Sequence, residues 1–196
     1  MENYKREYPL FSACGLNCAL CPRYHTSGPS RCPGCGGENF LLKHPSCAVI
    51  NCMRRHGEIE YCYECDEFPC KKYDGADLSD SFITHLNQVK DLDKAKDTGI
   101  DGYKVMLGEK ADILRFLLDN YDDGRKKSFF CLAVNLLEPD DVRDVVARLT
   151  RDISPENGDK KEKAAKAAGL FQDMARNRGV TLELRKKKRS EPDKKD

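Results

Sequence analysis

The sequence predicts a mainly helical protein that carries a small, irregular, cysteine-rich module at its N-terminus and few short strands. Ten of the 11 cysteines lie between Cys14 and Cys70, in a segment rich in Pro and Gly. Over residues 77–153, apolar residues recur at the three- and four-residue spacing of amphipathic helices. Strands and helices do not alternate, which argues against a Rossmann-type sheet and a β/α barrel.

Changes in composition divide the chain into four predicted segments. These are a cysteine-rich module over residues 1–75, a helical domain packed on it over 76–153, a C-terminal helix and short strand over 154–184, and a basic tail over 185–196. We expect the tail to be disordered because it is almost entirely polar. Within the module, the pattern predicts a short strand from Tyr8 to Ala13 and a short helix from Ala48 to Arg55, which Gly57 can cap.

The helical domain is predicted to begin with a helix capped by Asp77 or Ser79. Its inward face carries Phe82, Leu86, Val89 and Leu92, and Gly99 ends it. A shorter helix is predicted around Tyr103–Leu107, and another around Ile113–Tyr121.

Three further helices are predicted towards the C-terminus. Ser128 to Leu137 is apolar enough to form a buried central helix. Pro139 suits the first turn of the next helix. Ala164 to Arg176 forms the last one, and Val180 to Leu184 alternates like a short strand.

Charge and terminal composition predict a cytoplasmic protein. The formal net charge of +1 gives no overall reason to expect nucleic acid or an anionic membrane as partner. The N-terminus is charged and lacks the apolar region of a signal peptide, and no apolar run approaches the roughly 18 residues of a membrane span. We therefore expect reduced thiols, no membrane association, and a protein or small-molecule partner whose identity the sequence does not reveal.

Reduced cysteines at these spacings favour metal ligation over disulfide bonds. A Cys-x-x-Cys pair places two sulfurs on one side of a tight turn, and a following Gly or Pro lets backbone N–H groups point back at the sulfurs. Cys32-Pro33-Gly34-Cys35-Gly36-Gly37 is a strong instance of this knuckle. Two knuckles separated by a loop make one structural zinc site, and soft thiolates select zinc.

The preferred assignment therefore contains about two zinc ions. The predicted ligands of the first ion are Cys18, Cys21, Cys32 and Cys35, and those of the second are Cys47, Cys52, Cys62 and Cys65. Cys14 and Cys70 are further candidate ligands that can displace a neighbour, and the spacing also permits early and late knuckles to share an ion. A third site could use His25, His44 or His56, although solvated loop positions are the simpler interpretation of these histidines.

The metal is predicted to hold the module together. A structural zinc contributes ~10–16 kcal/mol in small peptides, whereas a whole domain is typically stable by only about 5–15 kcal/mol. The module has too little aliphatic side chain for an independent core. Removal of zinc is therefore predicted to unfold residues 10–75.

An iron–sulfur cluster is the alternative to zinc. Cys14-x-x-x-Cys18-x-x-Cys21 has the cysteine spacing of the radical S-adenosylmethionine enzymes, and Gly36-Gly37-Glu38 resembles their methionine-binding triplet. Those enzymes need a long β/α barrel, and this sequence shows no repeat of strands and helices that could form one. In addition, Leu20 stands where those enzymes usually have an aromatic residue. The alternative function is accordingly a metal-dependent enzyme or an iron–sulfur redox protein.

The cysteine pattern resembles a cysteine-rich family of bacteria and archaea. The matching residues are Cys14-Gly15-Leu16-x-Cys18-x-x-Cys21-Pro22, Cys32-x-Gly34-Cys35, Cys47 with Cys52, and Cys62-x-x-Cys65-x-x-Phe68-Pro69-Cys70. The resemblance covers roughly residues 8–75, and Phe82–His85 and Tyr121–Arg125 look similar to a longer branch. That family is catalogued as a domain of unknown function and is presumed to bind zinc, so the resemblance implies metal ligation and no particular activity.

Three features outside the module were candidates for chemistry. Asp122 to Cys131 places acidic residues, a Gly turn and three basic residues before a helix, which suits an anion site or, more simply, a capped loop. The basic run Arg185 to Arg189 gives weak support to a nucleic-acid partner. Cys131 stands alone in an apolar stretch and is predicted to be a buried small hydrophobe. Since no phosphate loop, paired-carboxylate motif or triad is recognisable, a binding or scaffold protein is favoured over an enzyme.

Overall fold

The computed structural model describes residues 4–44, 46–57, 59–153 and 158–186. Within these ranges the α-helices are α1 (Phe40–Lys43), α2 (Ala48–Arg55), α3 (Gln88–Thr98), α4 (Ile100–Tyr121), α5 (Lys127–Leu136), α6 (Pro139–Asp152) and α7 (Lys160–Asn177). Single 3₁₀ turns occur at Cys18–Leu20, Cys62–Glu64 and Lys71–Tyr73. The described residues contain no β-strand, and the protein is mainly α.

Helix α4 is the centre of the helical part. It packs against α3, α5, α6 and α7. One face is buried along its whole length, because its apolar residues recur every three or four positions: Tyr103, Leu107, Leu114, Leu117 and Tyr121. Helix α5 lies deeper still, since every residue from Phe130 to Leu136 is buried. Together the two helices form most of the hydrophobic core.

Four of the predicted helices are confirmed. They correspond to α2, α5, α6 and α7, and Pro139 occupies the first turn of α6 as expected. Helix α7 begins before the predicted Ala164, because the Asp159 carboxylate accepts the backbone N–H groups of Lys161 and Glu162, each at 3.0 Å. This side chain satisfies two donors that the first turn of a helix leaves without partners.

The prediction of two separate helices between residues 103 and 121 was wrong, because both belong to α4. Gly108 lies between them and costs the helix about 1 kcal/mol relative to Ala. The buried face nevertheless continues through this glycine, from Leu107 to Lys110 and Leu114. Burial along one continuous stripe outweighs the local preference of a single residue.

The predicted helix start at Asp77 or Ser79 was also wrong, because α3 begins only at Gln88. The preceding segment forms turns around the Asp80 carboxylate, which accepts hydrogen bonds from the Arg185 guanidinium at 2.6 Å and the His85 backbone N–H at 2.7 Å. Two residues predicted to point inward from this helix, Phe82 and Leu86, are therefore 59% and 50% exposed.

Neither predicted strand forms, so the prediction of short strands was wrong for Tyr8–Ala13 and Val180–Leu184. The carbonyl groups of the first segment accept hydrogen bonds from three different parts of the module, each at 2.9 Å, and never from one neighbouring strand. In the second segment the N–H of Val180 donates to the Ala175 carbonyl at 2.8 Å and closes the end of α7. A sheet needs a ladder of bonds to one partner, which neither segment has.

The cysteine-rich module and the helices share one hydrophobic core. Phe11 and Leu20 of the module are fully buried in the same cluster as Tyr103 and Leu107 of α4. The ring of Phe11 lies 4.4 Å from the ring of Tyr103 and 5.6 Å from that of Tyr61, centroid to centroid. Two large apolar side chains of the module, Phe11 and Leu20, therefore pack into the core around α4.

Arg6 fixes the N-terminal segment to the middle of the module. Only 4% of the residue is exposed. Its Nε donates to Glu60 Oε1 at 2.8 Å, and its Nη1 donates to the carbonyl of Phe11 at 2.6 Å. The guanidinium also lies over the ring of Tyr61, 4.6 Å from the centroid. A buried arginine with these partners is a structural crosslink.

A buried polar network connects the module to three helices. The Asn17 side chain donates to Asp91 Oδ2 of α3 at 2.8 Å and to Asn135 Oδ1 of α5 at 2.9 Å. The Tyr103 hydroxyl of α4 donates to Asn17 Oδ1 at 2.8 Å. Nearby, Lys110 Nζ donates to two carbonyl groups at the end of α5, at 3.3 and 2.8 Å. Because each group has a partner, the network can stay buried at little cost.

None of the helices in the described ranges combines the length and apolar character needed to cross a bilayer.

Candidate metal centre

Two of the Cys-x-x-Cys pairs adopt the same local structure. In both Cys18–Cys21 and Cys62–Cys65 the first three residues form a 3₁₀ turn, and the second cysteine donates its N–H to the carbonyl of the first at 3.1 Å. The backbone angles of the second cysteine also agree, with φ and ψ of −82° and 132° at Cys21 and −84° and 135° at Cys65. The tight turns that the spacing predicts are therefore present.

The third pair, Cys32–Cys35, is held against the N-terminal segment by glycines. Gly34 has a φ of +85°, and a Cβ on it would lie 2.5 Å from the carbonyl oxygen of Pro9. That same carbonyl accepts the N–H of Cys35 at 2.9 Å. A side chain at position 34 would be both strained and in collision, which explains why this turn uses Gly.

The turn around Cys14 lies directly against α3. Gly15 has a φ of +89°, and a Cβ there would lie 2.2 Å from the backbone oxygen of Gln88. The Gln88 side chain donates to the Cys14 carbonyl at 3.2 Å and approaches its sulfur to 3.5 Å. Ser12 Oγ accepts the N–H of Leu16 at 2.7 Å and closes the turn. The close approach to α3 fixes the position of the Cys14 thiol.

All eleven cysteines are free thiols. Cys35 and Cys131 are buried, and the other nine are partly buried. We call Cys14, Cys18, Cys21, Cys32, Cys35 and Cys47 the upstream sulfur group, and Cys52, Cys62, Cys65 and Cys70 the downstream sulfur group. Cys131 belongs to neither: it lies in the core on α5, so the prediction of a buried small hydrophobe is confirmed.

Three cysteines of the upstream sulfur group belong to a small apolar cluster. Cys18, Cys35 and Cys47 pack with Phe40 and Ile50. Burial raises the pKa of Cys18 well above its ordinary value, and the negative charge of a Cys35 thiolate raises that pKa further.

The pKa shifts of Cys14 and Cys21 show which neighbouring thiols affect them. Burial raises the pKa of Cys14 to about 11, and the charges of Cys35 and Cys47 add to the shift. The pKa of Cys21 is raised by burial and, more weakly, by the charge of Cys32. The pKa of Cys62 is raised by burial and also by the charge of Cys14, so Cys14 interacts with both sulfur groups.

The downstream sulfur group lines one cavity. Its four cysteines surround a space of about 20 Å³ together with His56 and apolar side chains that include Met53 and Phe68. His56 Nδ1 lies 3.7 Å from the sulfur of Cys65. Burial raises the pKa of Cys62 to about 12. Thiol and imidazole donors thus line the same cavity.

The structure groups the predicted ligands differently from the sequence-based assignment. Of the predicted first set, Cys18 and Cys35 pack at one apolar cluster, and the charge of Cys32 adds to the effect of burial on the pKa of Cys21. Of the predicted second set, Cys52, Cys62 and Cys65 lie together at the downstream cavity, while Cys47 packs upstream with Cys18 and Cys35. Cys70 takes its place at the downstream cavity.

Across residues 4–44, 46–57, 59–153 and 158–186, no three or more His, Cys, Asp or Glu side chains are grouped closely enough to hold a metal ion. The chemistry of the donors nevertheless suits zinc. Each sulfur group has at least the four thiols of a closed structural site, on turns of the kind such sites use. A divalent ion deprotonates the thiols that coordinate it, which would reverse the upward pKa shifts caused by burial.

The three histidines of the module do not lie together. His25 contacts the carbonyl oxygen of Ala19 through Nε2 at 2.7 Å, and burial lowers its pKa. The ring of His44 stacks on Phe40, with 4.6 Å between centroids. Of the three, His56 is the one beside the downstream cysteines.

The loop that follows α4 uses its own carboxylates as caps. Asp122 Oδ1 accepts the N–H groups of Gly124 at 3.0 Å and Lys126 at 2.8 Å, and Asp123 Oδ1 accepts that of Arg125 at 3.0 Å. These are backbone donors that an anion would need. The geometry agrees with the simpler interpretation of this segment, a capped loop before α5.

The basic run begins with a residue that has a structural role. Arg185 bonds the Asp80 carboxylate through its backbone N–H at 2.8 Å and its Nε at 3.1 Å, and its guanidinium also donates to the carbonyl of Asp77. Burial alone would raise the pKa of Asp80, but hydrogen bonds from Arg185 lower it to about 2. Lys187, Lys188 and Arg189 lie outside the described residues.

The buried polar network around Asn17 was missed in the sequence. A signal was nevertheless present, because Lys110 falls on the apolar stripe of α4 and Asn135 interrupts the apolar run of α5. A polar residue on a buried helix face needs a partner, so two such residues on neighbouring helices predict a network between them.

Comparison with known proteins relates the cysteine-rich module to a family model. The model of a family described as "Protein of unknown function (DUF3795)" matches residues 10–75. The match spans the cysteine-rich module and stops before α3. No curated protein and no solved structure matches the chain.

Proposed function

We propose that this protein is a zinc protein whose ions are structural, and that it serves as a binding or scaffold protein. The observation that carries the proposal is that ten free thiols lie on one segment of turns and short helices, with four of them lining one cavity and three at one apolar cluster. One ion is held within the upstream sulfur group and the other within the downstream sulfur group. Closed sites of four protein ligands leave no open position for catalysis.

The small size of the module's own core supports a structural role for the metal. Beyond the residues that pack onto α4, the module has one further buried cluster, consisting of Cys35, Phe40 and Ile50. Burial of a Phe or Ile side chain contributes only about 1.5–3 kcal/mol. A zinc ion adds several times that amount, so it can hold the turns of the module in place.

Exposed apolar residues support the binding role. Leu78, Phe82 and Leu86, on the segment between the module and α3, are 73%, 59% and 50% exposed. Arg23 of the module lies over the Phe82 ring at 4.0 Å. Neighbouring exposed apolar side chains of this kind are typical of surfaces that contact other molecules.

The test is elemental analysis of the full chain purified under reducing conditions, together with its absorption spectrum. We expect about two zinc ions per chain, no iron and no visible absorption. The variants Cys35→Ser and Cys62→Ser should each lower the zinc content to about one ion, whereas Cys131→Ala, whose thiol lies in the helical core, should leave it unchanged.

Chelation provides the structural half of the test. Removal of zinc should abolish the dispersed amide resonances of residues 10–75. Iron with visible absorption would instead favour the iron–sulfur alternative. A metal-free chain that keeps those resonances would overturn the proposal.

A further inference from the structure

We propose that His56 is a zinc ligand and that the downstream ion has a mixed coordination shell, formed by Cys52, His56, Cys62 and Cys65. This inference rests on the proposed function and deepens it, because it replaces an all-sulfur downstream site by one with three sulfurs and one nitrogen. It also leaves Cys70 at the cavity as a thiol that does not coordinate the ion.

The first support is the distance between His56 and Cys65. In tetrahedral zinc, a sulfur at about 2.3 Å and a nitrogen at about 2.0 Å from the ion lie about 3.5 Å from each other. The structure places His56 Nδ1 3.7 Å from Cys65 Sγ. The two atoms thus already have nearly the separation that a shared zinc ion requires.

The second support is the way α2 presents Cys52 and His56. Helix α2 ends at Arg55, and His56 caps it by donating its N–H to the Met53 carbonyl at 3.0 Å. Residues four apart on a helix lie on the same face, one turn from each other. Both residues line the downstream cavity, as expected for residues on one helix face.

The third support is that the site consists of two chelating pairs. Cys52 and His56 span one turn at the end of α2, and Cys62 and Cys65 span the 3₁₀ turn that follows. Zinc sites are commonly built from two such short-range pairs. Cys70 belongs to neither pair, because it precedes a separate 3₁₀ turn, Lys71–Tyr73, and its carbonyl accepts the N–H of Tyr73 at 2.9 Å.

The experiment compares the full-length wild-type chain with His56→Ala, His56→Cys, Cys70→Ser and His44→Ala. Zinc content is measured by elemental analysis after gel filtration with a weak chelator, and the coordination shell is measured from the absorption of the Co²⁺-substituted proteins. Cobalt bound by thiolates absorbs in the near ultraviolet through charge transfer, and its visible bands depend on the number of sulfur ligands. His44 is the matched control, because its ring stacks on Phe40 away from this cavity.

We expect His56→Ala to lower the zinc content from about two ions to about one. His56→Cys should keep both ions and shift the cobalt bands towards those of a four-sulfur site. This second variant keeps the test valid even if His56→Ala fails to fold. Cys70→Ser and His44→Ala should match the wild type in zinc content and spectrum.

Two results would overturn the inference without touching the proposed function. One is a wild type with both ions in which neither His56 variant changes the zinc content or the cobalt spectrum. The other is loss of an ion from Cys70→Ser. A wild-type chain that binds no zinc at all would instead refute the proposed function, so the two failures can be told apart.

Discussion

The carboxylate of Asp91 is part-buried in the polar network between the module and the helices, and its replacement by an amide should change how stability depends on pH. Burial raises the pKa of Asp91 to about 6. An aspartate in an unfolded chain has a pKa of about 3.9. Between these two values the folded protein binds more protons than the unfolded chain. Stability therefore falls as the pH rises through this window, and the part contributed by Asp91 protonation is fully present below about pH 4.

The magnitude follows from the shift of about two pKa units. One unit corresponds to 1.36 kcal/mol, so the ionisation of Asp91 removes about 3 kcal/mol of unfolding free energy between about pH 4 and high pH. About 1 kcal/mol of this change falls between about pH 5 and about pH 7.5, a range in which thiolate ligation by zinc can persist. Asp91→Asn abolishes the titration but keeps an oxygen that accepts the hydrogen bond of Asn17.

The assay is urea unfolding of the wild type and Asp91→Asn at several pH values across that range. We expect the unfolding free energy of the variant, relative to the wild type, to increase by about 1 kcal/mol from the lowest pH to the highest. His25 and His85, whose pKa values are lowered mainly by burial, produce the opposite trend, but they are present in both proteins and cancel in the difference. Asp93→Asn, exposed on the same helix, is the control. If the two variants give the same flat difference, Asp91 is not held in the protonated form by burial and the reasoning fails.

Three further predictions concern packing and are checked by chemical or thermal unfolding. Gly15→Ala should destabilise the protein by more than about 1 kcal/mol, because its Cβ would lie 2.2 Å from a backbone oxygen. Gly108→Ala in α4 should stabilise the protein by about 0.5–1 kcal/mol, because the added Cβ would meet no other atom. Arg6→Ala should lower the unfolding free energy by about 2–3 kcal/mol, because it breaks a buried crosslink. Arg6→Lys should restore only part of this stability, since a lysine cannot form the two directed bonds of the guanidinium. Full restoration by lysine would contradict the observed geometry. Leu114→Ala should cost about 2–5 kcal/mol, while Val105→Ala, 76% exposed on the same helix, should change stability by less than about 0.5 kcal/mol. Equal effects for these last two would show that the assigned inward face of α4 is wrong.

Local sequence signals predicted most of the helices. The spacing of Leu114, Leu117 and Tyr121 identifies a buried face, and Pro139 marks a helix start. These signals work because helix geometry repeats every 3.6 residues, so a few neighbouring positions report burial. Turn chemistry in the module was similarly local, since Gly34 is required by its own φ and by one close contact.

The errors in the fold came from contacts between distant residues. The segment before α3 is shaped by Asp80, whose carboxylate bonds Arg185, a residue 105 positions away in the chain. Nothing near Asp80 in the sequence indicates this partner, so the residue was interpreted as part of a helix start. The same holds for Val180–Leu184, whose alternation resembles a strand but which has no neighbouring strand to pair with.

The candidate site shows the same division between local and long-range information. The sequence identifies each Cys-x-x-Cys turn, because both cysteines lie on one short piece of backbone. It does not show which turns meet. Cys47 immediately precedes α2 and Cys52 lies within it, yet the first packs with Cys18 and Cys35 and the second lines a cavity with Cys62 and Cys70. A helix presents residues five apart on different sides, so one helix can supply both sulfur groups.

The apolar residues of the module are divided between the core shared with the helices and a small separate cluster. This distribution explains why the module would need metal even though it is attached to a well-packed helical part. Phe11, Leu20 and Tyr61 are buried in the core that α4 dominates, so they fix only the side of the module that faces the helices. The opposite side has the small cluster around Phe40 and Ile50, and its backbone consists largely of turns. Hydrophobic burial contributes in proportion to area and cannot specify the path of turns that have so little apolar surface. Directional bonds from sulfur and imidazole to an ion can specify that path, and the proposed ions would join the turns at Cys18 and Cys62, which contact the helices, to the rest of the module.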